Sequence, residues 1–209
     1  MKDELQVIPA QVTTTTLSFA NLHQHGELFA NLLRARRTSF IVTKQWNLPE
    51  ALGMEYDQYD NPSSRWIAIH EDEHVLAGAR ITPTTAHCGV YSYMIRDAQR
   101  GLLQGIPTGL LFEEAPVSDQ IWELTRGFVA PEVPQRRRDR VRARLFTGMI
   151  AAAQEQGAAR LLSLIPSNWP RWVKYCGLDA EAAGPVIPIE DQPHQCVYFN
   201  LASSRPRFV

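Results

Sequence analysis

The sequence predicts an α/β domain with a mixed central sheet flanked by helices. Strand-like segments alternate with segments whose apolar residues recur at helical spacing, which is typical of this class. Two strand-like segments, "RWIAIH" and "VLAGARIT", are separated by only four residues, among them the charged "EDE", as in a hairpin. Because hairpin strands are antiparallel, the sheet has to be mixed. One domain is expected over residues 1–209, with residues 1–16 poorly ordered.

The elements are expected in the following order along the chain. The apolar positions of Leu17–Arg37 recur at helical spacing, and the hairpin strands follow at Arg65–His70 and Val75–Thr82. The segment "YSYMIRDAQRGLL" favours a further helix that ends near Gly105. The remaining elements are a central strand at Ile121–Val129, a helix running to about Gln156, a buried strand in "ARLLSLIP", a short helix closed at Gly177, and final strands in "GPVIPIE" and "QCVYFNL".

Charge, hydropathy and cysteine content narrow the class of function. The formal net charge of −1 argues against a protein that attracts nucleic acid through its overall charge. No apolar run is long enough to cross a bilayer, so no membrane partner is expected. The three cysteines, Cys88, Cys176 and Cys196, are far apart and odd in number, which indicates a cytoplasmic protein without a disulfide framework.

The segment Glu55–Asp60, "EYDQYD", forms an acidic stretch in which Glu55, Asp57 and Asp60 are carboxylates. Carboxylates at this density repel one another, so they persist only if they are solvated, paired with cations or bound to a ligand. The stretch lacks the twelve-residue pattern of a calcium loop. The residues alone leave three interpretations open: a solvated turn, ion pairs with arginines, and a pocket for a cationic ligand.

The strand segment "WELTRGFV" carries two charged residues in an apolar setting. In a regular strand, Glu123 and Thr125 lie on one face and Arg126 lies on the other. Burying Glu123 and Arg126 is unfavourable unless they are paired. Beside a cleft, such a pair would make Glu123 a candidate general base; elsewhere it would be a structural ion pair. Gly127 favours a bulge in this strand.

An arginine-rich run, "PQRRRDRVRAR", opens the helix expected after the central strand. Its arginines are Arg136, Arg137, Arg138, Arg140, Arg142 and Arg144. Helix N-termini favour anions, so the run is a candidate site for the phosphates of a pantetheine thioester or for an acidic carrier protein. A solvated helix face is the alternative, and the net charge disfavours nucleic acid.

No residue pattern indicates a metal site. His23 and His25, like His194 and Cys196, lack further ligands at metal-binding spacing. We therefore expect no metal.

Four motifs, taken in order, resemble those of the acyl-homoserine-lactone synthases, the autoinducer synthases of bacterial quorum sensing. The segment "RRTSFIVTKQW" places Arg36, Phe40 and Trp46 at the spacing of that family. The acidic stretch is similar to the family's E-x-D-x-[FY]-D, "GARITPTT" to G-x-R-L-L-P-T-T, and "WELTR" to W-E-[LIS]-[ST]-R. The segment after Thr84 and the glycine after Arg126 depart from the family pattern.

The resemblance implies a GNAT-like N-acyltransferase fold and two substrates. These are S-adenosylmethionine (SAM) and an acyl thioester, carried by an acyl carrier protein or by CoA. The products would be an acylated homoserine lactone and methylthioadenosine, with SAM as a substrate and no cofactor.

The resemblance also implies roles for particular residues. The expected SAM-binding residues are Arg36, Phe40, Trp46, Glu55, Asp57, Asp60 and Arg80. Glu123 would act as the general base through a water, with Arg126 holding the site in register. The residues expected to dock the acyl donor are Arg136, Arg137, Arg138, Arg140 and Arg144.

Three other functions remain to be separated from this one. The first is an ordinary GNAT-like acetyltransferase that uses acetyl-CoA on another amine. The second is a non-catalytic module that binds SAM or acyl groups. The third is a nucleic-acid binder that uses the arginine run, which a steep salt dependence of binding would indicate.

Overall fold

The computed structural model describes residues 11–206. The helices are α1 (Leu28–Arg37), α2 (Met94–Gln99), α3 (Gln135–Glu155) and α4 (Trp169–Cys176). The strands are β1 (Val12–Leu17), β2 (Glu50–Ala51), β3 (Met54–Glu55), β4 (Arg65–Glu71), β5 (His74–Pro83), β6 (Ile121–Val129), β7 (Arg160–Pro166), β8 (Ala180–Ile189) and β9 (Gln192–Asn200).

Seven of the strands form one mixed sheet, in the order β1-β4-β5-β6-β7-β9-β8. Neighbouring strands are antiparallel except β6 and β7, which are parallel. Strands β2 and β3 form a small separate hairpin. The predicted α/β class with a mixed central sheet is confirmed.

The parallel pair of strands separates soon after it forms. Residues Ile121–Glu123 of β6 pair with Arg160–Leu162 of β7, and the register ends there. One further link is made by the Ser163 hydroxyl, which donates to the carbonyl of Leu124 over 2.8 Å. The second half of β6 therefore runs beside β5 without a β7 partner, and Glu123 lies at the point of separation.

A bulge interrupts the pairing of β5 with β6. Arg80 pairs with Thr125 and Gly78 pairs with Phe128, so one residue of β5 faces both Arg126 and Gly127 of β6. Arg126 has a φ of +54°, a left-handed conformation that is uncommon outside glycine. The bulge expected at Gly127 is confirmed, with the unusual dihedral on the arginine beside it.

Helices cover both faces of the sheet. A β-carbon on Gly78 would lie 2.4 Å from Leu32 Cδ1 and 2.9 Å from Phe128 Cε1, so α1 approaches this face very closely. Gly148 of α3 meets the opposite face, where a β-carbon would lie 3.2 Å from Ile67 Cγ2. The two glycines mark opposite faces of the sheet. Gly78 pairs with Ala68, so both positions point to the same face, and Ile67, the residue before Ala68, points to the other face.

A second apolar cluster joins α2 and the chain after it to the far strands. Tyr93, Ile95, Leu110, Leu162 and Cys196 are all fully buried in it. This cluster holds the long connection between β5 and β6 against β7 and β9.

Most of the predicted elements are confirmed, and two are corrected. The helix expected in "YSYMIRDAQRGLL" covers only Met94–Gln99 and ends before Gly105, and the N-terminal part differs as follows. The helix expected within Leu17–Arg37 begins only at Leu28, after a short 3₁₀ turn at Leu22–Gln24. Residues 1–10 lie outside the described residues, but Val12–Leu17 form strand β1, which corrects the expectation of poor order there. Its threonine-rich sequence suits an edge strand because β-branched residues favour extended backbone. Within residues 11–206, no helix has the length and apolar character needed to cross a bilayer.

Gly78→Ala tests the close packing of α1 on the sheet. The added methyl group must displace Leu32 or Phe128, so we expect it to destabilise the protein by about 1–3 kcal/mol. Gly109→Ala is the control, because a β-carbon at Gly109 meets open space and its φ is ordinary. Denaturant unfolding measures both; equal stability of the two variants would contradict the close approach.

Candidate active site

The acidic stretch folds against three arginines that come from three different elements. Arg36 lies in the last turn of α1, Arg80 in the middle of β5 and Arg126 at the bulge of β6. We call these arginines together with the three carboxylates the ion network; its members are Arg36, Arg80, Arg126, Glu55, Asp57 and Asp60.

Each arginine of the ion network bridges two carboxylates. Arg36 contacts Glu55 at 2.6 Å and binds Asp60 with both terminal nitrogens, at 2.7 and 3.0 Å. Arg80 binds Asp57 at 2.5 and 3.2 Å and Asp60 at 3.0 Å. Arg126 contacts Glu55 at 3.1 Å and Asp57 at 2.8 Å. The six charges therefore alternate in sign and sum to zero.

The ion network is buried, and the pairing sets its protonation. None of the six side chains is more than 11% exposed, and Arg80 and Glu55 are fully buried. Burial favours the neutral form of Asp57 and Asp60, but two guanidinium groups together outweigh it at each carboxyl: Arg80 and Arg126 at Asp57, Arg80 and Arg36 at Asp60. Both pKa values therefore lie below the usual range. The acidic stretch is therefore a buried set of ion pairs, and the solvated-turn interpretation is wrong.

Two neutral side chains complete the ion network, and the sequence analysis missed both. The Trp66 indole nitrogen donates to Asp60 over 2.8 Å, and Arg80 Nε donates to the Thr125 hydroxyl over 3.1 Å. The available signal was the Trp at the start of the "RWIAIH" strand, since a buried indole N–H requires an acceptor.

The bulge in β6 determines the direction of the Arg126 side chain. In a regular strand Thr125 and Arg126 would face opposite sides, but the left-handed turn at Arg126 brings both into the ion network. The pairing considered for Glu123 with Arg126 is not formed; Arg126 pairs with Glu55 and Asp57 instead. Strain of this kind persists only where surrounding contacts hold it, and here two ion pairs do so.

Glu123 is bound by backbone amides rather than by an arginine of the ion network. It is fully buried, and its two carboxylate oxygens accept the backbone amides of Ile95 at 2.7 Å and Met94 at 3.1 Å. Burial raises the pKa of Glu123 to about 7, and the amide of Ile95 and the charge of Arg80 limit the rise. A carboxyl group that titrates near neutrality is suited to general-base chemistry.

An aromatic pair borders the ion network. The rings of Phe40 and Trp46 stack with centroids 5.2 Å apart and an angle of 8° between them. The guanidinium of Arg126 lies 5.9 Å from the Phe40 centroid, and the Lys44 ammonium lies 4.6 Å from the Trp46 centroid. The structure thus brings together all the residues expected to bind SAM, and it places a cation on their aromatic face.

The arginine run is only partly available for docking. Arg138 turns inward and donates to the carbonyls of Val129 and Ala130 at the end of β6. Arg137 pairs with Glu71, and Arg144 donates to the carbonyl of Val12. These three arginines stabilise the packing of α3, so the five arginines expected to dock the donor are only partly free of other contacts.

Three arginines of the run are exposed: Arg136 and Arg140 near the start of α3, and Arg144, which donates to the carbonyl of Val12. Their role in donor docking stays a prediction. Among residues 11–206, no group of three or more His, Cys, Asp or Glu side chains is arranged to hold a metal ion.

The fold identifies the class of protein. Solved acyltransferases share it: an acyl-CoA N-acyltransferase from Pseudomonas aeruginosa superposes with a TM-score of 0.57 at 13% identity, covering 91% of this chain and 99% of that one. A CoA-dependent acyl-homoserine lactone synthase, BjaI, solved with SAM and isopentyl-CoA, gives 0.72 at 20% identity, covering 91% and 84%. LasI, another acyl-homoserine lactone synthase, gives 0.72 at 21%, covering 92% and 91%. The fold is therefore that of a GNAT-like acyltransferase.

Sequence comparison then identifies the family. The profile of the autoinducer synthases matches residues 20–201. An acyl-homoserine-lactone synthase of Ralstonia nicotianae is 29% identical over 182 residues, covering 84% of this chain and 83% of the relative. One from Pseudomonas chlororaphis is 30% identical over 164 residues, covering 77% and 74%. The chain belongs to the autoinducer synthase family, and the predicted class of enzyme, an acyltransferase of the acyl-homoserine-lactone synthase type, is confirmed.

Asp60→Asn tests the structural role of the ion network. The change leaves Arg36 and Arg80 with an uncompensated buried charge, so we expect a loss of about 3–5 kcal/mol in the free energy of unfolding. Glu50→Gln is the matched control: it breaks the half-exposed pair with Arg37 and should change stability by less than about 1 kcal/mol. Urea titration measures the free energy of unfolding of both variants. A similar loss of stability in the two would refute a structural role for the ion network.

Proposed function

We propose that this enzyme transfers an acyl group from a thioester to the amine of SAM and then releases an acyl-homoserine lactone and methylthioadenosine. The observation that carries the proposal is Glu123, a fully buried carboxyl group with a pKa of about 7, placed where β6 and β7 separate and beside the ion network. Family membership supports the same reaction over an acetyltransferase, a non-catalytic binding module and a nucleic-acid binder.

SAM would bind over the ion network and against the aromatic pair. Since the carboxylates of the ion network already have arginine partners, their proposed role is to shape and orient the pocket floor rather than to neutralise SAM alone. The sulfonium would lie on Phe40 and Trp46, a contact worth on the order of 1 kcal/mol. The position of the Lys44 ammonium on the same rings supports this, because it shows that the face accepts a cation.

The first chemical step is attack of the SAM amine on the thioester carbonyl. The amine loses a proton as the new C–N bond forms, and Glu123 takes that proton. A carboxylate has about four lone-pair sites, and the amides of Met94 and Ile95 occupy two of them, so capacity remains for a water. Because Glu123 has no exposed surface, we propose that a single water, admitted by a small movement of α2, relays the proton.

The tetrahedral oxyanion requires hydrogen-bond donors near the point of attack. Backbone N–H groups of the bulged part of β6, where β7 no longer pairs, are our candidates. Collapse of the intermediate breaks the C–S bond and expels the thiolate of the carrier, which takes up the proton that Glu123 received.

The second step closes the ring. The carboxylate of the acylated SAM attacks its own γ-carbon, the bond from this carbon to the sulfonium breaks, and methylthioadenosine leaves. The sulfonium is already an excellent leaving group, so the protein has mainly to bring the two ends together.

The donor is an acyl thioester of CoA or of an acyl carrier protein. The structure of BjaI with isopentyl-CoA supports CoA as one such carrier. We propose that Arg136 and Arg140, exposed at the start of α3, attract the phosphates or the acidic carrier. We further propose a cytoplasmic location, with no cofactor, metal, nucleic acid or membrane required; the three free cysteines agree with a reducing compartment.

Mass spectrometry of the products tests the reaction. The protein is incubated with SAM and a mixed pool of acyl-CoA and acyl carrier protein thioesters. We expect an acylated homoserine lactone together with methylthioadenosine, and the mass of the lactone identifies the chain. Folded protein that forms no lactone with any donor would refute the proposal.

Glu123→Gln tests the general base. The amide cannot accept the proton, so we expect kcat/KM to fall by on the order of 10²–10⁴-fold while SAM binding is kept. Glu114→Gln, at an exposed glutamate of the connection that precedes β6, is the control and should be as active as the wild type. Normal turnover by Glu123→Gln would remove Glu123 from this role.

Reversal of charge at Arg136 and Arg140 tests donor docking. The double change to Glu should raise KM for the acyl thioester by about three- to tenfold at low salt, with KM for SAM unchanged. Arg171→Glu, at an exposed position of α4, controls for a general change in surface charge. An unaltered KM for the donor would assign these arginines to a solvated helix face.

A further inference from the structure

A second buried carboxylate lies in the helix whose first two amides bind Glu123, and it has no part in the steps above. Asp97, in α2, is fully buried. It accepts the backbone amide of Ser92 at 2.9 Å, the hydroxyl of Tyr59 at 3.1 Å, and a longer contact from Arg100 at 3.3 Å. Three donors on one buried carboxylate indicate a group that organises its surroundings.

The contacts of Asp97 determine where α2 begins. Ser92 lies two residues before Met94, and the amides of Met94 and Ile95 are the two donors that bind Glu123. By accepting the amide of Ser92, Asp97 folds the chain back on itself just before those two donors. Any displacement of this turn moves the amides away from the carboxylate of Glu123.

Tyr59 connects this arrangement to the ion network. It belongs to the acidic stretch, is 2% exposed, and its ring lies 5.7 Å from the guanidinium carbon of Arg80. Its hydroxyl donates to Asp97. The floor of the proposed SAM site and the helix that holds Glu123 are thus joined through one hydrogen bond between Tyr59 and Asp97.

We propose that Asp97 is a positioning residue, which, through Tyr59 and the amide of Ser92, fixes the start of α2 and thereby the carboxylate of Glu123. The proposal assigns Tyr59 to the alignment of the base with the SAM site. It rests on the proposed role of Glu123, but its geometry can be tested without turnover.

The proposal predicts a direction for the titration of Glu123. The amides of α2 favour the charged form of Glu123, so loosening α2 must raise its pKa above about 7. The titratable groups that face Glu123 are Arg80 from β5, Asp57 and Tyr59 from the acidic stretch, Tyr93 before α2 and Cys196 from β9. Burial raises the pKa of the two tyrosines and the cysteine, so these stay neutral near pH 7 and do not mask the change.

The test is carboxyl ¹³C NMR titration of Glu123, with the signal assigned by its loss in Glu123→Gln. Tyr59→Phe removes only the hydroxyl and keeps the ring beside Arg80. We expect the pKa of Glu123 to rise by about half a unit to one unit, so that kcat/KM falls about three- to tenfold below that pKa and recovers at higher pH. Tyr56→Phe, at an exposed tyrosine of the acidic stretch, is the matched control and should change neither quantity.

Asp97→Asn provides an independent variant. Loss of the negative charge of Asp97 would by itself favour the charged form of Glu123 and lower its pKa, so an upward shift in this variant is opposite to the direct effect of the charge and reports loosening of α2. An unchanged titration of Glu123 in folded Tyr59→Phe and Asp97→Asn, or a loss of activity that is the same at every pH, would overturn the proposal. If the pKa of Glu123 rises in the variants but the wild type makes no lactone, the positioning role of Asp97 is supported and the proposed reaction is refuted.

Discussion

The alternation of three arginines with three carboxylates beneath the β5–β6 bulge is the interaction on which the rest of the site depends. Isolated charges at this depth would be strongly destabilising, and the network is tolerated because every guanidinium bridges two acids. These pairs tie the end of α1, the acidic stretch and two strands together. They also hold Arg126 in a left-handed conformation that a free chain would avoid.

The pKa of Glu123 is shifted in the opposite direction from those of Asp57 and Asp60 in the ion network. Adjacent guanidinium groups lower the pKa of Asp57 and Asp60 and keep them ionised, whereas Glu123 accepts backbone amides and burial raises its pKa to about 7. The same site therefore keeps one set of acids permanently charged and one acid able to exchange a proton. This division matches a reaction that must bind a cationic substrate and also remove a proton from its amine.

The sequence was sufficient to predict the sheet, its central strand and the set of residues that meet at the site, because periodicity and motif spacing are local properties. It could not predict which charges pair. Arg126 reaches Glu55 and Asp57 only because of a bulge, and Arg138 turns toward carbonyl groups of β6 that are eight and nine residues earlier. The hydrogen bonds from the amides of α2 to Glu123 could not be predicted either. They depend on how the long connection between β5 and β6 folds, and the sequence of this connection departs from the family pattern.

The most direct test of the account is a crystal structure of the protein with SAM bound. We predict that all six members of the ion network keep their partners, that the sulfonium lies on Phe40 and Trp46, and that the amine reaches Glu123 through one water. A structure in which SAM displaces an arginine from Asp57 or Asp60, or in which its amine lies remote from Glu123, would contradict the account.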